Sequence, residues 1–452
     1  MDRIAFVLPV SMGHVIATTR LAELAHLGGY DVHYLLLGRR TDDASRGAVV
    51  DVVEGLGFEM ALFDVPALAL PPGLNGQPRR AVEASWASEL VDLWRAVGEA
   101  LETLAPRLVL FDVFLPPAGV LASSMGMACA QISTDLPHRV DLGAPPGPAF
   151  VIPGRRPWHD LRLGRAWTHH LARSIVLQKW SEWRGPTRMR AGRLALRQLM
   201  RTGRRAPARV SYRTAFPVAN PGLHPRFPDL PELVFTGKRL DFPRRNTRGL
   251  HWLGPLVQER RPRVDFPFER LDPDRKLIYC SFGTEHGDEG TMRHVLAMVR
   301  EAAAELPGHQ LVLVTGGVTT GDATSSRKGD VIEVPFAPQL EILRRADVAV
   351  FHGGFNTLRE CMVCGVPMLV VPIHPRITDR PRNGALVEYL GLGRCVRLSG
   401  SSPAELRAQI RSLSAEEAVR SRCRGLSAEL KRSREARERN AIDVLHRLAA
   451  SP

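Results

Sequence analysis

This chain has few cysteines and no long apolar run, and each absence excludes a class of protein. Its six cysteines are scattered over 452 residues, too few and too dispersed for a disulfide framework. Cys361 and Cys364 form a C-x-x-C pair, but no second pair accompanies them, so we assign no zinc or redox site there. No stretch reaches the roughly 20 uncharged apolar residues of a membrane-spanning helix. Residues 1–10 lack a small-residue cleavage pattern, so we expect no signal peptide and a cytoplasmic protein.

The dinucleotide fingerprint is absent as well. Residues 4–9 predict an apolar strand, residues 15–27 a helix and residues 31–37 a second strand, which is the β-α-β opening of a doubly wound fold. The sequence G-x-G-x-x-G does not follow the first strand, so this opening is not a nicotinamide-dinucleotide site. A second β/α series starts near residue 277. The predicted fold class is therefore α/β with two doubly wound units.

The length of the chain predicts two domains, because 452 residues exceed one typical domain. Between the two β/α series lies a stretch that is rich in Pro and Arg and has little periodicity, as linkers do. The predicted boundaries are as follows: first domain 1–238, linker 239–273, second domain 274–432 and C-terminal helix 433–452.

Positive charge and Trp are concentrated in one segment. Of a formal net charge of +14, residues 155–209 hold fourteen Arg and one Lys against two acidic residues, together with Trp158, Trp167, Trp180 and Trp183. Apolar residues spaced four apart predict an amphipathic helix: Leu163, Trp167, Leu171 and Ile175. Three interpretations stay open: a solvated surface, a surface that meets anionic lipid or a hydrophobic acceptor, and a nucleic-acid surface. No nucleic-acid-binding module is visible, so we expect no nucleic-acid partner.

The most informative stretch follows an apolar strand at 348–351 and has the sequence HGGFNTLRE at 352–360. Its two adjacent glycines let the backbone approach a ligand closely. The loop opens into a helix, whose N-terminus carries partial positive charge and N–H donors that suit a phosphate. His352 and Thr357 add donors, and Glu360, nearly one turn further on, can accept from ribose hydroxyls. The stretch therefore predicts a binding site for a nucleoside diphosphate.

The flanking residues extend this pattern. PFAPQ stands upstream at 335–339, and CGVPML stands downstream at 364–369, followed by Asp379 and Asn383. In this order the stretch resembles the donor-binding signature of the UDP-glycosyltransferase family, whose bacterial members glycosylate macrolides, other polyketides and carotenoids. The resemblance implies the GT-B fold, in which two Rossmann-like domains face each other across a cleft. It also implies that the C-terminal helix packs back on the first domain.

Sugar transfer from a nucleotide sugar needs a base for the acceptor hydroxyl and stabilisation of the leaving diphosphate. His14 follows the end of the first strand, so it should project at the carboxyl edge of the sheet, where ligands bind in open α/β folds. Asp112, at the end of a later strand, is placed to hold the imidazole tautomer. A helix cap is the ordinary alternative for either residue. Both match the family's catalytic positions, which implies a single inverting displacement with His14 as general base.

The resemblance also assigns the donor site. The residues that it places near the diphosphate are Ser281, Gly283, Thr284, His352, Gly353, Gly354, Asn356 and Thr357. Phe336 stands where the family usually carries Trp against the nucleobase, and Gln339 and Glu360 match base-proximal and ribose contacts. The helix dipole and the donor-site imidazole take the place of a divalent cation. We therefore expect no metal and no cofactor, with a UDP- or TDP-sugar as co-substrate.

The chain departs from the family after Pro372. The loop that leads to Asp379 is a few residues longer than usual, and Arg380 stands where the family carries Gln. Asp379 can still accept from sugar hydroxyls, whereas Arg380 cannot accept and would pair with a carboxylate. A uronic acid, a deoxysugar and an ordinary hexose held differently therefore all stay open as the donor sugar.

The expected acceptor is a hydroxyl of a hydrophobic small molecule, a polyketide-like natural product first and a carotenoid or other lipid second. Met12, Trp158 and Trp167 are the candidate acceptor-binding residues. With a lipid acceptor, the basic segment 155–209 would lie on an anionic membrane surface at the inner face of the membrane. Two other classes stay open: a catalytically silent GT-B partner that activates another enzyme, and a nucleotide-sugar epimerase or hydrolase.

Overall fold

Two parallel β-sheets with packed helices organise the protein. The computed structural model describes residues 1–39, 43–66, 78–154, 157–184, 188–202, 227, 229–261, 263–283, 289–318, 330–373, 379–398 and 400–451. Within these residues, every strand pair of both sheets is parallel. The α/β class predicted from the sequence is confirmed.

The first sheet has the strand order β3-β2-β1-β4-β5-β6-β7. Its strands are β1 (Asp2–Pro9), β2 (Tyr30–Gly38), β3 (Glu59–Asp64), β4 (Leu108–Asp112), β5 (Ala128–Ser133), β6 (Glu232–Val234) and β7 (Leu250–Trp252). The helices described with it are α1 (Met12–Leu27), α2 (Asp43–Glu54), α3 (Arg79–Leu104), α4 (Pro116–Ser124), α5 (Pro157–Arg184) and α6 (Arg188–Thr202). Successive residues of β1, such as Phe6 and Val7, face two different cores. Because both faces of the sheet are covered, its central strand is an unbroken apolar run.

The second sheet has the strand order β10-β9-β8-β11-β12-β13. Its strands are β8 (Lys276–Ser281), β9 (His309–Val314), β10 (Val331–Val334), β11 (Val348–Phe351), β12 (Met368–Val370) and β13 (Gly393–Cys395). The helices that follow in this half are α7 (Glu289–Ala304), α8 (Gln339–Leu343), α9 (Phe355–Cys364), α10 (Arg380–Tyr389), α11 (Pro403–Ala415), α12 (Glu417–Arg432) and α13 (Arg434–Ala450). Adjacent residues of β11 again face two cores, since Ala349 belongs to one and Val350 to the other.

Each sheet has a point at which the order of its strands reverses. In the first sheet β1 lies between β2 and β4, and in the second sheet β8 lies between β9 and β11. At such a point the loops leave neighbouring strands toward opposite faces and open a crevice, where open α/β sheets bind ligands. His14 lies directly after β1, Asp112 ends β4 and His352 follows β11. The topology therefore puts these three side chains at the two crevices.

The first sheet continues past residue 238, which corrects the predicted boundary. The segment 239–273, which the sequence assigns to a linker, contains β7, and Leu250–Trp252 pair with Glu232–Val234 of β6. A strand of three residues is too short to show a period of two in the sequence, so composition alone suggested a linker. The other described residues of the segment are irregular apart from two short 3₁₀ turns.

The last helix packs on the core of the first sheet. Leu445 of α13 is fully buried in the same cluster as Leu21 of α1. An ion pair of 2.7 Å joins Arg20 of α1 to Glu438 of α13. The chain therefore crosses from the second sheet back to the first at its end. None of the helices in the described residues is both long and apolar enough to cross a lipid bilayer.

Truncation of Leu445 tests this packing. We expect Leu445→Ala to lower the free energy of unfolding by about 2–5 kcal/mol, because a fully buried Leu leaves a cavity that its neighbours fill only in part. Leu161, which is 75% exposed on α5, supplies the matched control Leu161→Ala. Urea unfolding of both variants measures the difference. Equal stability of the two variants would contradict the packing of α13 on the first sheet.

Candidate active site

His14 and Asp112 form a directly bonded pair at the first crevice. His14 Nδ1 lies 2.7 Å from Asp112 Oδ2, and the Asp112 side chain is fully buried while that of His14 is 20% exposed. The other carboxylate oxygen accepts from the backbone N–H of Phe114 at 2.9 Å. An ionised carboxylate only accepts, so Nδ1 carries the proton and Nε2 of the neutral imidazole carries the lone pair. The pair thus presents a histidine oriented for proton abstraction through Nε2.

Two further contacts hold the imidazole of His14. The ring of Phe114 meets it edge to face with ring centres 5.1 Å apart. The hydroxyl of Thr134, which follows β5, lies 3.3 Å from Nδ1. The sequence analysis singled out neither residue, since an aromatic and a hydroxyl at these positions carry no motif. Together they restrict the rotation of the base.

The loop after β11 is shaped by its glycines around the imidazole of His352. Gly353 has a φ of 93°, and a Cβ there would lie 3.0 Å from the backbone oxygen of Arg380. A Cβ on Gly354 would lie only 2.6 Å from His352 Nε2. Gly283, after β8, also lies against this imidazole, since its Cβ would lie 3.1 Å from His352 Cε1. The loops after β8 and β11 therefore meet at this imidazole; Thr284 lies outside the described residues.

Asn356 connects the phosphate loop to the base. It lies in the first turn of α9, and its Nδ2 donates to the backbone oxygen of Gly13 at 2.7 Å, next to His14. Its Oδ1 accepts from the guanidinium of Arg359, one turn further along α9. Burial lowers the pKa of Arg359 to about 10, and its guanidinium lies 5.3 Å from the ring centre of Phe235. The side-chain amide of Asn356 is thus oriented by a buried arginine and placed between the two crevices.

Glu360 is buried against protein donors, which differs from the sequence analysis. Only 2% of the residue is exposed; Oε1 accepts from Arg261 and Oε2 accepts from Gln339. Gln339 also accepts from Tyr279 Oη at 2.7 Å and lies 3.4 Å from Thr357 Oγ1. In this arrangement Glu360 orients Gln339 and Arg261 rather than presenting an open carboxylate to a ribose. The contact with Arg261 was missed because that residue lies in the irregular segment between the sheets, where nothing in the sequence distinguishes it.

Asp379 lies between the two halves of the molecule, at the start of α10. Its carboxylate accepts from Asn383 Nδ2 at 2.6 Å. Burial and, second, repulsion by Asp135 raise the pKa of Asp379 above its ordinary value, against the opposing effect of Arg382. The neighbouring Arg380 donates from Nη1 to the backbone oxygen of Ile373 at 3.1 Å. Asp379 is therefore a carboxylate held at an energetic cost beside the predicted sugar site.

The residues predicted to contact the nucleobase and the acceptor divide into two groups. Phe336, Trp158 and Met12 have accessible surface: the first two are 55% and 51% exposed, and Met12 is half-buried at the edge of the first core. Trp167 is 6% exposed, and its indole N–H donates to the backbone oxygens of Asp141 and Ala144 at 2.9 Å. Trp167 is therefore a packing residue, which corrects its assignment to the acceptor site.

The apolar positions spaced four apart on α5 pass from the interior to the surface. Leu163 is buried, whereas Ile175 is 46% exposed. The side chains of Trp180 and Trp183 lie outside the described residues.

The C-x-x-C pair, Cys361 and Cys364, lies in α9. No group of three or more His, Cys, Asp and Glu in the described residues is arranged to hold a metal ion. Burial raises the pKa of Cys364 to about 11 and that of Cys361 well above its ordinary value. Both thiols of the C-x-x-C pair are therefore protonated at neutral pH and behave as core residues.

Comparisons with known proteins find that the chain is similar to glycosyltransferases. Residues 291–439 match the family model for the glycosyltransferase family 28 C-terminal domain. The putative UDP-glucuronosyltransferase ugt-50 of Caenorhabditis elegans is 30% identical over 174 residues, 36% of this chain and 32% of its own length. The zeaxanthin glucosyltransferase of Pseudescherichia vulneris is 24% identical over 406 residues, 88% of this chain and 86% of its own. The chain thus spans about a third of the first relative and most of the second.

A solved structure resembles the whole chain. The glycotransferase of kitacinnamycin superposes with a TM-score of 0.65 at 23% sequence identity, and 99% of each chain is covered. At that identity the likeness establishes the fold, which is the GT-B arrangement of two Rossmann-like units. The family model that matches the second half of the chain and the zeaxanthin glucosyltransferase that matches most of it agree with this fold. The chain is thus similar to UDP-glycosyltransferases over about a third of its length and to a zeaxanthin glucosyltransferase over most of it.

Neutralising Asp379 should stabilise the protein. Because the pKa of this carboxyl is raised in the folded state, the folded protein favours the neutral form. The ionised carboxylate therefore lowers the free energy of unfolding as pH rises through the raised pKa. We expect Asp379→Asn to melt at a higher temperature than the wild type at pH 7, with a difference that narrows as pH falls. Asp92→Asn is the control, since Asp92 is 64% exposed. A melting temperature at or below that of the wild type would show that the carboxylate is stabilised where it lies.

Proposed function

We propose that this protein transfers a sugar, with inversion, from a nucleoside diphosphate sugar to a hydroxyl of a hydrophobic small molecule. The observation that carries the proposal is the junction between the two crevices. There the His14–Asp112 pair lies beside the phosphate loop, joined to it by the bond from Asn356 to the Gly13 carbonyl. A base for the acceptor and a cradle for the leaving group thus meet in one place.

In the proposed reaction His14 Nε2 takes the proton of the acceptor hydroxyl. Asp112 stabilises the imidazolium that results and keeps the ring in the productive tautomer. The acceptor oxygen then attacks the anomeric carbon from the face opposite the diphosphate. The bond between this carbon and the phosphate oxygen breaks, and the electron pair leaves with the diphosphate. One displacement of this kind inverts the configuration at the anomeric carbon.

The phosphate loop would stabilise the leaving diphosphate. The first turn of α9 supplies backbone N–H groups and the positive end of the helix dipole. His352 and Thr357 flank the start of this helix and would add side-chain donors, while Asn356 holds its first turn against Gly13. The glycines let the loop backbone approach the His352 imidazole closely, and Arg359 orients Asn356, so the first turn is arranged before a ligand binds. Preorganised donors of this kind give the largest stabilisation of developing negative charge.

The donor and acceptor are assigned by class. A UDP- or TDP-sugar suits the phosphate loop and the exposed ring of Phe336, which offers a face for a nucleobase. A zeaxanthin glucosyltransferase among the long relatives supports an apolar acceptor that carries a hydroxyl. The kitacinnamycin glycotransferase adds a precedent for the fold with a natural product. We therefore assign the acceptor to hydroxylated hydrophobic natural products, polyketide-like or carotenoid.

Donor binding is measured by thermal stabilisation of the purified protein with UDP, TDP, GDP and ADP, each alone and as common sugar conjugates. A ligand at about 100 times its dissociation constant adds about 2.7 kcal/mol to stability. We expect one nucleotide to raise the melting temperature selectively. The response should be lost in His352→Ala and kept in His294→Ala, whose histidine is exposed on α7. No response from folded wild type to any of these compounds would favour a catalytically silent partner.

The role of His14 as general base is tested by steady-state kinetics. The donor is the sugar conjugate of the nucleotide that stabilises the protein, and the acceptor is a hydroxylated polyketide or carotenoid. His14→Ala should lower kcat by about 10²–10⁴-fold, which is the usual contribution of a general base, while the nucleotide still stabilises the protein. Asp112→Asn should also lower kcat, and the double variant should lose little more than His14→Ala, because the two residues act as a unit. His26→Ala, at the exposed end of the same helix, is the control. Donor consumption that continues without any acceptor would instead indicate a hydrolase.

A further inference from the structure

Arg382 is a fully buried arginine that connects the two halves of the molecule. It lies in α10 of the second half, but its side-chain partners all belong to the chain that follows β5. Its guanidinium donates to the backbone oxygens of Leu136 at 2.9 Å and Pro137 at 3.2 Å. It also lies 3.6 Å from the carboxylate of Asp135. Its backbone N–H donates to the carbonyl of Gly147, which belongs to the first half as well.

The residue next to Arg382 contacts the donor site. Asn383 Nδ2 donates to the backbone oxygen of Gly353 in the phosphate loop at 2.9 Å and to Asp379 Oδ2 at 2.6 Å. Asn383 is also fully buried. Two neighbouring residues of α10 therefore contact opposite sides of the cleft. A shift of the phosphate loop or of Asp379 would move α10 and with it the guanidinium of Arg382.

The segment that Arg382 contacts leads to the base. Ser133 and Arg139, at its two ends, both bond to the buried carboxylate of Glu232 in β6, at 2.5 and 3.0 Å. Between these fixed ends the chain includes Thr134, whose hydroxyl lies 3.3 Å from His14 Nδ1. Arg382 hydrogen-bonds to the middle of this short bridge. The bridge, residues 134–138, is therefore held at both ends by the first sheet and in the middle by α10.

Burying a guanidinium between two surfaces costs desolvation free energy. Burial lowers the pKa of Arg382, although Asp135 and Asp379 act in the opposite direction. Well-packed apolar residues often stabilise such a position at least as well as a charge. An apolar side chain could not hydrogen-bond to the carbonyls of Leu136 and Pro137 and would leave the path of the bridge unspecified. The arginine therefore fixes geometry rather than adding stability.

From these contacts we propose that Arg382 is a positioning residue that couples occupancy of the donor site to the orientation of His14. The coupling runs from Gly353 and Asp379 through Asn383 and Arg382 to the bridge 134–138, and from Thr134 to the imidazole. It rests on the proposed function, because it needs a donor at the phosphate loop and a base at His14. Coupling of this kind is reciprocal, so a bound donor orders the bridge and an ordered bridge favours the donor.

The first test follows the bridge without any turnover. Hydrogen exchange, read by mass spectrometry, is measured on the wild type with and without saturating UDP or TDP, whichever stabilises the protein. We expect the nucleotide to slow exchange by about tenfold both at the loop 352–356 and at the bridge 134–138. In Arg382→Met the slowing at the loop should remain and that at the bridge should disappear. Arg382→Lys, which keeps the charge but cannot fork to two carbonyls, should retain part of it.

The second test separates positioning from stability. Arg382→Met should lower kcat by about tenfold while the KM for the donor changes by less than about twofold. Arg20→Met is the control, because Arg20 is an equally well-bonded arginine, 15% exposed, whose carboxylate partners lie away from the cleft. It should lower the melting temperature and leave kcat unchanged. Arg382→Lys should recover part of kcat.

The outcomes separate the proposed donor site from the proposed coupling. If no nucleotide binds the wild type, the donor site itself is wrong and the coupling is wrong with it. If a nucleotide protects the loop but leaves the bridge of the wild type unchanged, the coupling is overturned and the proposed function stands. Protection of the bridge that persists in Arg382→Met would also overturn it. If Arg382→Met fails to fold, hydrogen exchange of the wild type and of Arg382→Lys still tests the coupling.

Discussion

The bond from the Asn356 side chain to the carbonyl of Gly13 is the interaction on which the arrangement of the site depends. Under the proposed function each sheet alone provides half of what sugar transfer requires: the first a base, the second a cradle for the leaving diphosphate. A base is useful only within hydrogen-bond reach of a hydroxyl that is itself in line with the anomeric carbon. The distance of 2.7 Å between Nδ2 and the carbonyl oxygen fixes the first turn of α9 against the first turn of α1. The relative position of base and leaving group is therefore set by the backbone of one crevice and a side chain of the other.

This geometry is maintained by polar groups that are expensive to bury. Arg359, Glu360 and Arg382 are at most 3% exposed, and the pKa of each of the two arginines is lowered by burial. Each is bonded to another side chain or to backbone, as buried charges must be. All three lie in the two helices that flank the donor loop. The cost in stability is thus concentrated where orientation matters, while the cores of both sheets are apolar.

The parts of this structure that the sequence predicts are those encoded by neighbouring residues. The apolar strands, the helix after the glycine pair and the histidine after β1 all depend on patterns of a few residues, and the structure has each in place. His14 and Asp112 are 98 residues apart, yet the first follows a strand and the second ends one, and parallel strands bring such positions to one edge of the sheet. Local sequence pattern and sheet topology together were therefore enough to predict that His14 and Asp112 lie close to each other.

The contacts that the sequence analysis missed have no such pattern. Arg261 meets Glu360 across 99 residues, and Arg382 meets Pro137 across 245. Neither arginine ends a strand or repeats with a period, and in a chain with 61 basic residues composition does not distinguish them. Trp167 shows the converse error, since an aromatic residue in a basic segment suggests a ligand surface, whereas two backbone carbonyls satisfy its indole N–H inside the protein. What decides these cases is which buried polar group needs a partner, and that is known only when the chain is folded.

Glu360 shows how the same requirement affects donor recognition. A carboxylate has about four lone-pair sites, and Arg261 and Gln339 use one on each oxygen, so capacity for a ribose hydroxyl remains. A ribose hydroxyl has no open path to the Glu360 carboxylate, however, because the residue is 2% exposed and Arg261 lies against it. A ribose that reaches Glu360 must therefore displace part of the Arg261 contact, whereas the N–H groups of α9 and the imidazole of His352 need no rearrangement to meet phosphate. In the proposed reaction the diphosphate would therefore bind without rearrangement of the protein, whereas a contact between ribose and Glu360 would require Arg261 to move.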